Sequence, residues 1–194
     1  MKKIFLILTC LFITAAASAQ KDLLSFNEQN KYIYYQVVEQ PGLTADTMHA
    51  RALYFLKTAY AQNKIKEGAI SGNFTGSGKF LIASSLSAIK HVYGEINYTY
   101  FIECKDGKYR YWLTDFVYTP HKTDRYGNSV PEQGVDIPLE GGASKVDKRE
   151  FGICLDEVGT YSKQFGDKLK QDMVKISNLS PKETHKTITT TKDW

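Results

Sequence analysis

The chain has 194 residues, with 25 basic and 21 acidic side chains, 42% hydrophobic residues and three cysteines. This length predicts one soluble domain with a real core, and so few cysteines exclude a scaffold built on disulfides. Lys2 and Lys3 lie in an N-terminal segment that we expect to be removed, which leaves 23 basic against 21 acidic residues. That excess is too small to indicate nucleic acid or an anionic membrane as a partner.

Residues 1–19 have the features of a cleavable signal peptide. Lys2 and Lys3 precede an apolar run from Ile4 to Ala16, and Ala17-Ser18-Ala19 fits the small-x-small cleavage pattern. We therefore expect cleavage before Gln20 and export to the periplasm or the exterior. The run is shorter than the roughly 20 residues that span a bilayer, and no second such run follows, so the sequence predicts no transmembrane segment.

Cys10 raises the alternative of a lipid anchor. A lipobox would place a small residue before a cysteine that ends the apolar run, whereas here Thr9 precedes Cys10 and the apolar run continues through Leu11 to Ile13. We interpret Cys10 as part of the apolar region of the signal.

The mature chain begins with a predicted strand and helix. Lys31 to Glu39 is rich in aromatic and β-branched residues, and Pro41-Gly42 ends it. Thr44 is a credible N-cap for a helix that runs to about Gln62, with Asp46 in its first turn. An apolar stripe at helical spacing is formed by Met48, Ala52, Phe55, Leu56 and Ala59.

A glycine-rich segment follows from Lys64 to Ser84. Strand patterns occur at Ala69 to Phe74 and at Lys79 to Ala83, and Thr75 to Gly78 is predicted to be the turn between them.

The hairpin from Gly94 to Tyr118 gives the best local signal. Asp106-Gly107 separates two long strand patterns and accepts the positive φ angles of a type I′ turn. The predicted register sets an opposite-charge pair and an aromatic pair directly across from each other. It pairs Cys104 with Tyr109, Glu103 with Arg110, Ile102 with Tyr111 and Phe101 with Trp112.

Strict alternation divides this hairpin into two faces. The predicted core face consists of Ile96, Tyr98, Tyr100, Ile102, Tyr109, Tyr111, Leu113 and Val117. The opposite face is polar with an aromatic strip, which consists of Phe101, Trp112, Phe116 and Tyr118.

Regular patterning ends at Pro120 and returns near Phe151. A structureless loop over residues 120–148 would be either functional or a mobile linker. A long amphipathic helix follows to about Ile176, with glycines at 152, 159 and 166 that indicate either close approach to the sheet or a break near Gly159. We expect a single domain over residues 20–180 and a disordered tail over 181–194, although Trp194 can dock.

The order strand, helix, four strands, helix predicts an α+β fold. With Tyr35-Gln36-Val37-Val38 before Pro-Gly, the turn near Gly76 and Gly78, and the hairpin from Tyr98-Thr99-Tyr100 to Trp112-Leu113-Thr114, it resembles a family of exported Gram-negative bacterial proteins. The family is described as a domain of unknown function with a TATA-binding-protein-like fold. The resemblance implies a curved antiparallel sheet of about five strands with helices on its convex face. It implies no catalytic residue, and the fold name does not imply DNA binding.

Little in the sequence indicates catalysis. His49, His91, His121 and His185 are scattered without metal-ligand spacing, so we expect no metal and no cofactor. Cys104 and Cys154 lie among apolar neighbours and are interpreted as buried free thiols, with a disulfide between them as the alternative. Gly76-Ser77-Gly78 lacks the spacing of a nucleophile elbow, and a strand follows the Gly72 to Lys79 loop where a phosphate site needs a helix.

Two classes of function remain. The aromatic strip favours a non-enzymatic binding module whose sheet face binds a protein, a small molecule or a second copy, unless the 120–148 loop or Trp194 covers the strip. The alternative is an enzyme of unrecognised class with a site under that loop, whose first candidates are His121, Asp124, Arg125 and Tyr126. An enzyme should gather groups with perturbed pKa values in one cleft, whereas a binding module should show a broad apolar face.

Overall fold

The computed structural model describes residues 23–60, 64–67, 73–83 and 92–175. The expected signal peptide with Cys10, the tail over 181–194, His91, His185 and Ile176 lie outside the described residues. No helix in the described ranges is long and apolar enough to cross a membrane.

One antiparallel sheet forms the framework of the described chain. Its strands are β1 (Ser25–Phe26), β2 (Tyr32–Glu39), β3 (Lys64–Glu67), β4 (Asn73–Ala83), β5 (Val92–Lys105), β6 (Lys108–Thr123), β7 (Ser129–Pro131) and β8 (Ile137–Pro138). They are ordered β1-β2-β6-β5-β4-β3, and β7 and β8 also pair with β6. The five predicted strands correspond in number to β2–β6, and the three short strands extend the sheet.

Two helices pack on one face of this sheet. Helix α1 (Ala45–Ala59) and helix α2 (Lys148–Val174) meet through Phe55 and Phe165, whose ring centroids are 5.3 Å apart. Phe165 also contacts Tyr100 of β5, at a centroid distance of 5.7 Å. The α+β prediction, with an antiparallel sheet and helices on one face, is therefore confirmed.

Helix α1 begins where the sequence predicts. The Thr44 hydroxyl accepts a hydrogen bond from the amide of Thr47, as an N-cap does. Met48, Ala52, Phe55 and Leu56 are buried as the stripe predicts. Ala59 is exposed, and the helix ends there rather than near Gln62.

The predicted register of the β5–β6 hairpin is confirmed at all four pairs. The turn itself is not type I′, because only Gly107 has a positive φ, of 75°. The reason is that the turn docks on the loop before α1. Gly107 donates to the carbonyl of Leu43 at 2.9 Å, and the Asp106 carboxylate accepts from the amide of Ala45 at 2.7 Å.

The predicted turn at Thr75 to Gly78 is wrong, because β4 runs unbroken from Asn73 to Ala83. Gly76 and Gly78 lie directly across from Tyr100 and Tyr98. Because glycine has no side chain, these two positions leave space on the core face of β4 for the large tyrosine rings of β5. The hairpin partner of β4 is β3, which lies earlier in the chain than predicted.

The segment 120–148 is not structureless. Strand β6 continues through Pro120 to Thr123, β7 and β8 pair with it, and a 3-10 helix spans Leu139–Ser144. Helix α2 is continuous, so of the two alternatives for its glycines the break near Gly159 is wrong. Close approach is confirmed at Gly166, where a Cβ would lie 2.1 Å from the Tyr111 hydroxyl oxygen.

Candidate functional site

The candidate site lies on the sheet face that is turned away from the two helices, which we call the open face. Tyr35 of β2 pairs in register with Trp112 of β6, and Trp112 pairs with Phe101 of β5. These three residues form a line across three neighbouring strands, here called the aromatic row. Tyr35 is 43% exposed, and its neighbour Val37 on the same face is 49% exposed.

The rings of the aromatic row stand on edge. Phe101 and Trp112 have centroids 4.8 Å apart and planes that differ by 11°, so one face of each ring covers a face of the other. Tyr35 lies on the other side of Trp112, at 6.2 Å and 39°. Phe101 and Trp112 therefore present ring edges rather than broad ring faces to a ligand.

Arg110 joins the aromatic row to the charged end of the hairpin. Its guanidinium lies 5.4 Å from the centroid of Trp112 and 2.6 Å from the carboxylate of Glu103. The hydrogen bond with Tyr35, and to a smaller extent the one with Glu103, raises the pKa of Arg110 above its ordinary value. Arginine is already protonated at neutral pH, so Arg110 is positively charged. The predicted Glu103–Arg110 pair is thus also part of the site.

A cleft of about 200 Å³ opens beside the aromatic row, toward the hairpin end. Its lining combines apolar and cationic groups, and consists of Tyr35, Val37, Glu103, Lys105, Lys108, Tyr109 and Arg110.

Two members of the predicted aromatic strip do not belong to the open face. Phe116 and Tyr118 are buried in the core, at 0% and 2% exposure. A bulge at Asp115, whose φ is 53°, sets two residues of β6 against Tyr98 of β5. One extra residue reverses the alternation, so the side chains beyond it change face, and Val117 is correspondingly moved out of the predicted core face.

Sequence reasoning also missed Tyr35 and Val37. Alternation within β2 places them on one face, but only the long-range pairing of β2 with β6 brings them beside Trp112. No local signal carries that pairing.

The residues named for an enzymatic site make different contacts: Asp124, Arg125 and Tyr126 lie together in one turn, and the His121 side chain contacts other partners. The Asp124 carboxylate accepts from the amides of Tyr126 and Asn128, which lowers its pKa and holds a turn. Arg125 lies over the ring of Tyr126, which is 73% exposed.

His121 is separate from that turn and largely buried. Its Nδ1 lies 3.0 Å from the Ser129 hydroxyl, and its Nε2 is 3.9 Å from a carboxylate oxygen of Glu95. Lys79 also pairs with Glu95, at 3.2 Å.

Cys104 and Cys154 are buried free thiols, as the favoured interpretation predicts. Burial raises the pKa of Cys104 and that of Cys154 to about 12, so neither is a thiolate at neutral pH. Within the described ranges no group of three or more His, Cys, Asp or Glu residues is placed to hold a metal ion.

Comparison with known proteins identifies the fold. Residues 34–119 match a family model described as a domain of unknown function (DUF4468) with TBP-like fold. No curated protein sequence matches the chain.

Two solved structures are similar to the described fold. A TBP-like protein from Parabacteroides distasonis has a TM-score of 0.62 at 14% identity, over 77% of this chain and 96% of that one. A DUF4468 family protein from Bacteroides ovatus has a TM-score of 0.60 at 12% identity, over 79% and 92%. At such identities the likeness concerns the fold alone.

Proposed function

We propose that this chain, whose residues 34–119 match the family model of a domain of unknown function (DUF4468) with TBP-like fold, is a non-enzymatic binding module. The open face is its binding surface, and the aromatic row is the centre of that surface. The signal-peptide pattern of residues 1–19 supports a location outside the cytoplasm, in the periplasm or at the exterior.

The observation that carries this proposal is the exposure of apolar groups on the open face. Helices cover the other face, whereas Tyr35 and Val37 are nearly half exposed beside Trp112. Apolar groups clustered on a surface and bordered by charges are typical of interaction sites.

The orientation of the rings favours a protein as the partner. Flat ligands, and sugars through the C–H faces of their rings, stack on free aromatic faces, but Trp112 lies between Phe101 and Tyr35. The edges of the aromatic row instead form a ridge against which apolar side chains of another protein pack.

The perturbed titratable groups support binding rather than catalysis. The described groups with the largest pKa shifts are buried tyrosines and cysteines, which burial holds in their neutral forms in the core. The enzymatic alternative calls for such groups in one accessible cleft.

Affinity purification from the native cell envelope tests the proposal. The tagged protein, Trp112→Ala and Phe101→Ala are compared, with Tyr54→Ala as the control, because Tyr54 is 45% exposed on α1, in the helix layer. We expect quantitative mass spectrometry to show one set of proteins lost with both open-face variants and kept with Tyr54→Ala. Circular dichroism checks that all variants are folded. Identical partners for all four proteins would contradict the proposal.

A further inference from the structure

We propose that the cleft beside the aromatic row binds a carboxylate that lies next to an apolar group. An acidic residue beside an apolar residue in a partner protein supplies this combination. This inference rests on the proposed function and specifies the partner chemistry that the open face recognises.

The walls of the cleft provide the apolar part of the site. Tyr35 and Val37 follow each other on the open face of β2, and both side chains are nearly half exposed. Burial of an apolar group against them is favourable by the hydrophobic effect.

The cationic part of the site comes from the end of the β5–β6 hairpin. Lys105 and Lys108 are directly opposite each other in the register, and Arg110 is the next residue of β6 on the same face. Like charges directly across a strand pair destabilise a sheet, so a bound anion would relieve a cost that the free protein carries.

The carboxylates near this cluster do not balance it. Glu103 is bound to Arg110, and Glu39 lies across from Lys108 in the β2–β6 register. Asp106, in the turn, accepts the amide of Ala45. Within the cleft rows, three cations therefore lie beside two carboxylates, which leaves one positive charge in excess, and of the three cations only Arg110 is held in an ion pair.

The size of the cleft limits the ligand. Its volume of about 200 Å³ is below the roughly 300 to 1,000 Å³ of sites for drug-sized ligands. It accommodates one apolar group with one carboxylate, which is the size of a short piece of a protein partner.

Titration of the isotope-labelled full chain by NMR tests this proposal with defined probes. N-acetylphenylalanine carries a chain-end carboxylate, and the blocked dipeptide acetyl-Phe-Glu-amide carries a side-chain carboxylate. Their neutral counterparts are N-acetylphenylalaninamide and acetyl-Phe-Gln-amide. We expect saturable shifts of the amides from Lys105 to Arg110, with a dissociation constant of about 1 to 10 mM. The tighter of the two acids shows which source of carboxylate the cleft prefers.

The neutral probes should bind about fivefold more weakly, because they lose the ion pairs. The double variant K105Q/K108Q should weaken the acids by a similar factor. Lys66→Gln removes an exposed lysine from β3, at the far edge of the sheet, and should leave binding unchanged. Higher salt should weaken the acids and spare the neutral probes.

Three results would overturn the inference. They are equal binding of the acids and the neutral probes, amide shifts that map to another part of the chain, and equal effects of Lys66→Gln and the double variant. These outcomes are separable from failure of the proposed function. If Trp112→Ala and Phe101→Ala remove envelope partners while the acids do not bind, the open face is a binding surface but its carboxylate specificity is wrong.

Discussion

Glycines 152 and 166 of α2 have different surroundings at the scale of single residues. An ideal Cβ on Gly166 would meet the Tyr111 ring at 2.1 to 2.9 Å, whereas a Cβ on Gly152 would meet nothing within 4 Å. The heptad spacing of glycines in the sequence is thus explained at position 166 by a close approach to the sheet.

Alanine substitutions at these two positions should therefore change the free energy of unfolding in opposite directions. We expect Gly166→Ala to destabilise the fold by about 1 to 3 kcal/mol through overpacking against Tyr111. Gly152→Ala should stabilise it by roughly 0.5 to 1 kcal/mol, because alanine is the better helix former. Urea unfolding of both variants measures the difference. A stabilising Gly166→Ala would show that Tyr111 does not lie against α2.

The cysteines give a second prediction at this scale. Because burial raises the pKa of Cys104 and Cys154 to about 12, neither should react with a thiol reagent in the native protein at neutral pH. Both should react once the protein is unfolded without reductant, as mass spectrometry of the labelled peptides can show. Failure to label either one after unfolding would indicate the disulfide alternative.

At the scale of elements, the hairpin was predictable and its surroundings were not. Asp106-Gly107 and the alternation on both arms are local signals, so the register followed from them. The role of Gly76 and Gly78 depends on Tyr100 and Tyr98, which are distant in sequence, and the glycines therefore resembled a turn.

The bulge at Asp115 is the second limit on prediction from local patterns. Alternation continues across Asp115 in the sequence, although one extra residue in β6 moves Phe116 and Tyr118 to the core. Phe101 and Trp112 lie between the turn and the bulge, where the alternation is undisturbed. Their pairing on the open face was therefore predicted correctly.

Asp106 connects the hairpin to α1, which gives a prediction for both elements. Asp106→Ala removes the acceptor of the Ala45 amide and should destabilise the protein by about 1 kcal/mol, as loss of a helix cap does. Asp106→Asn keeps an oxygen acceptor and should cost less. Thermal unfolding compares them. Equal losses would mean that the hydrogen bond to Ala45 is not the stabilising contact.

At the scale of the whole molecule, the core contains many ionisable groups in neutral form. Burial raises the pKa of Tyr60, Tyr100, Cys104 and Cys154 to about 12, and that of Tyr109, Tyr111 and Tyr161 further. The core therefore stays uncharged only while these tyrosines and cysteines keep their protons.

Stability should consequently decrease at alkaline pH. The cysteines are protonated in both states below about pH 7.5 and the tyrosines below about pH 9, so stability is fully present below about pH 7.5. As the pH rises toward 12, the unfolded chain releases protons that the native core retains, which favours unfolding. The urea midpoint should therefore be constant up to about pH 7.5, decrease slightly as the cysteines of the unfolded chain ionise, and fall steeply above about pH 10 as the tyrosines of the unfolded chain follow. A midpoint that does not change up to about pH 11 would contradict a core of protonated tyrosines.

The fold class and half of the candidate site could be predicted from the sequence, because they rest on element order and on one hairpin. Tyr35, Val37 and the cleft could not, because the pairing of β2 with β6 spans much of the chain. The open face depends on the register of strands that are far apart in the sequence, and amino-acid composition does not indicate that register.

Site-specific photo-cross-linking in living cells shows which face of the protein contacts a partner. A photoreactive phenylalanine derivative replaces either Tyr35 on the open face or Tyr54 on α1, two tyrosines of nearly equal exposure at 43% and 45%. We expect discrete cross-linked protein species from position 35, abolished by Trp112→Ala, and none of these species from position 54. The same species from both positions, or cross-links from position 54 alone, would contradict the assignment of the open face as the binding surface.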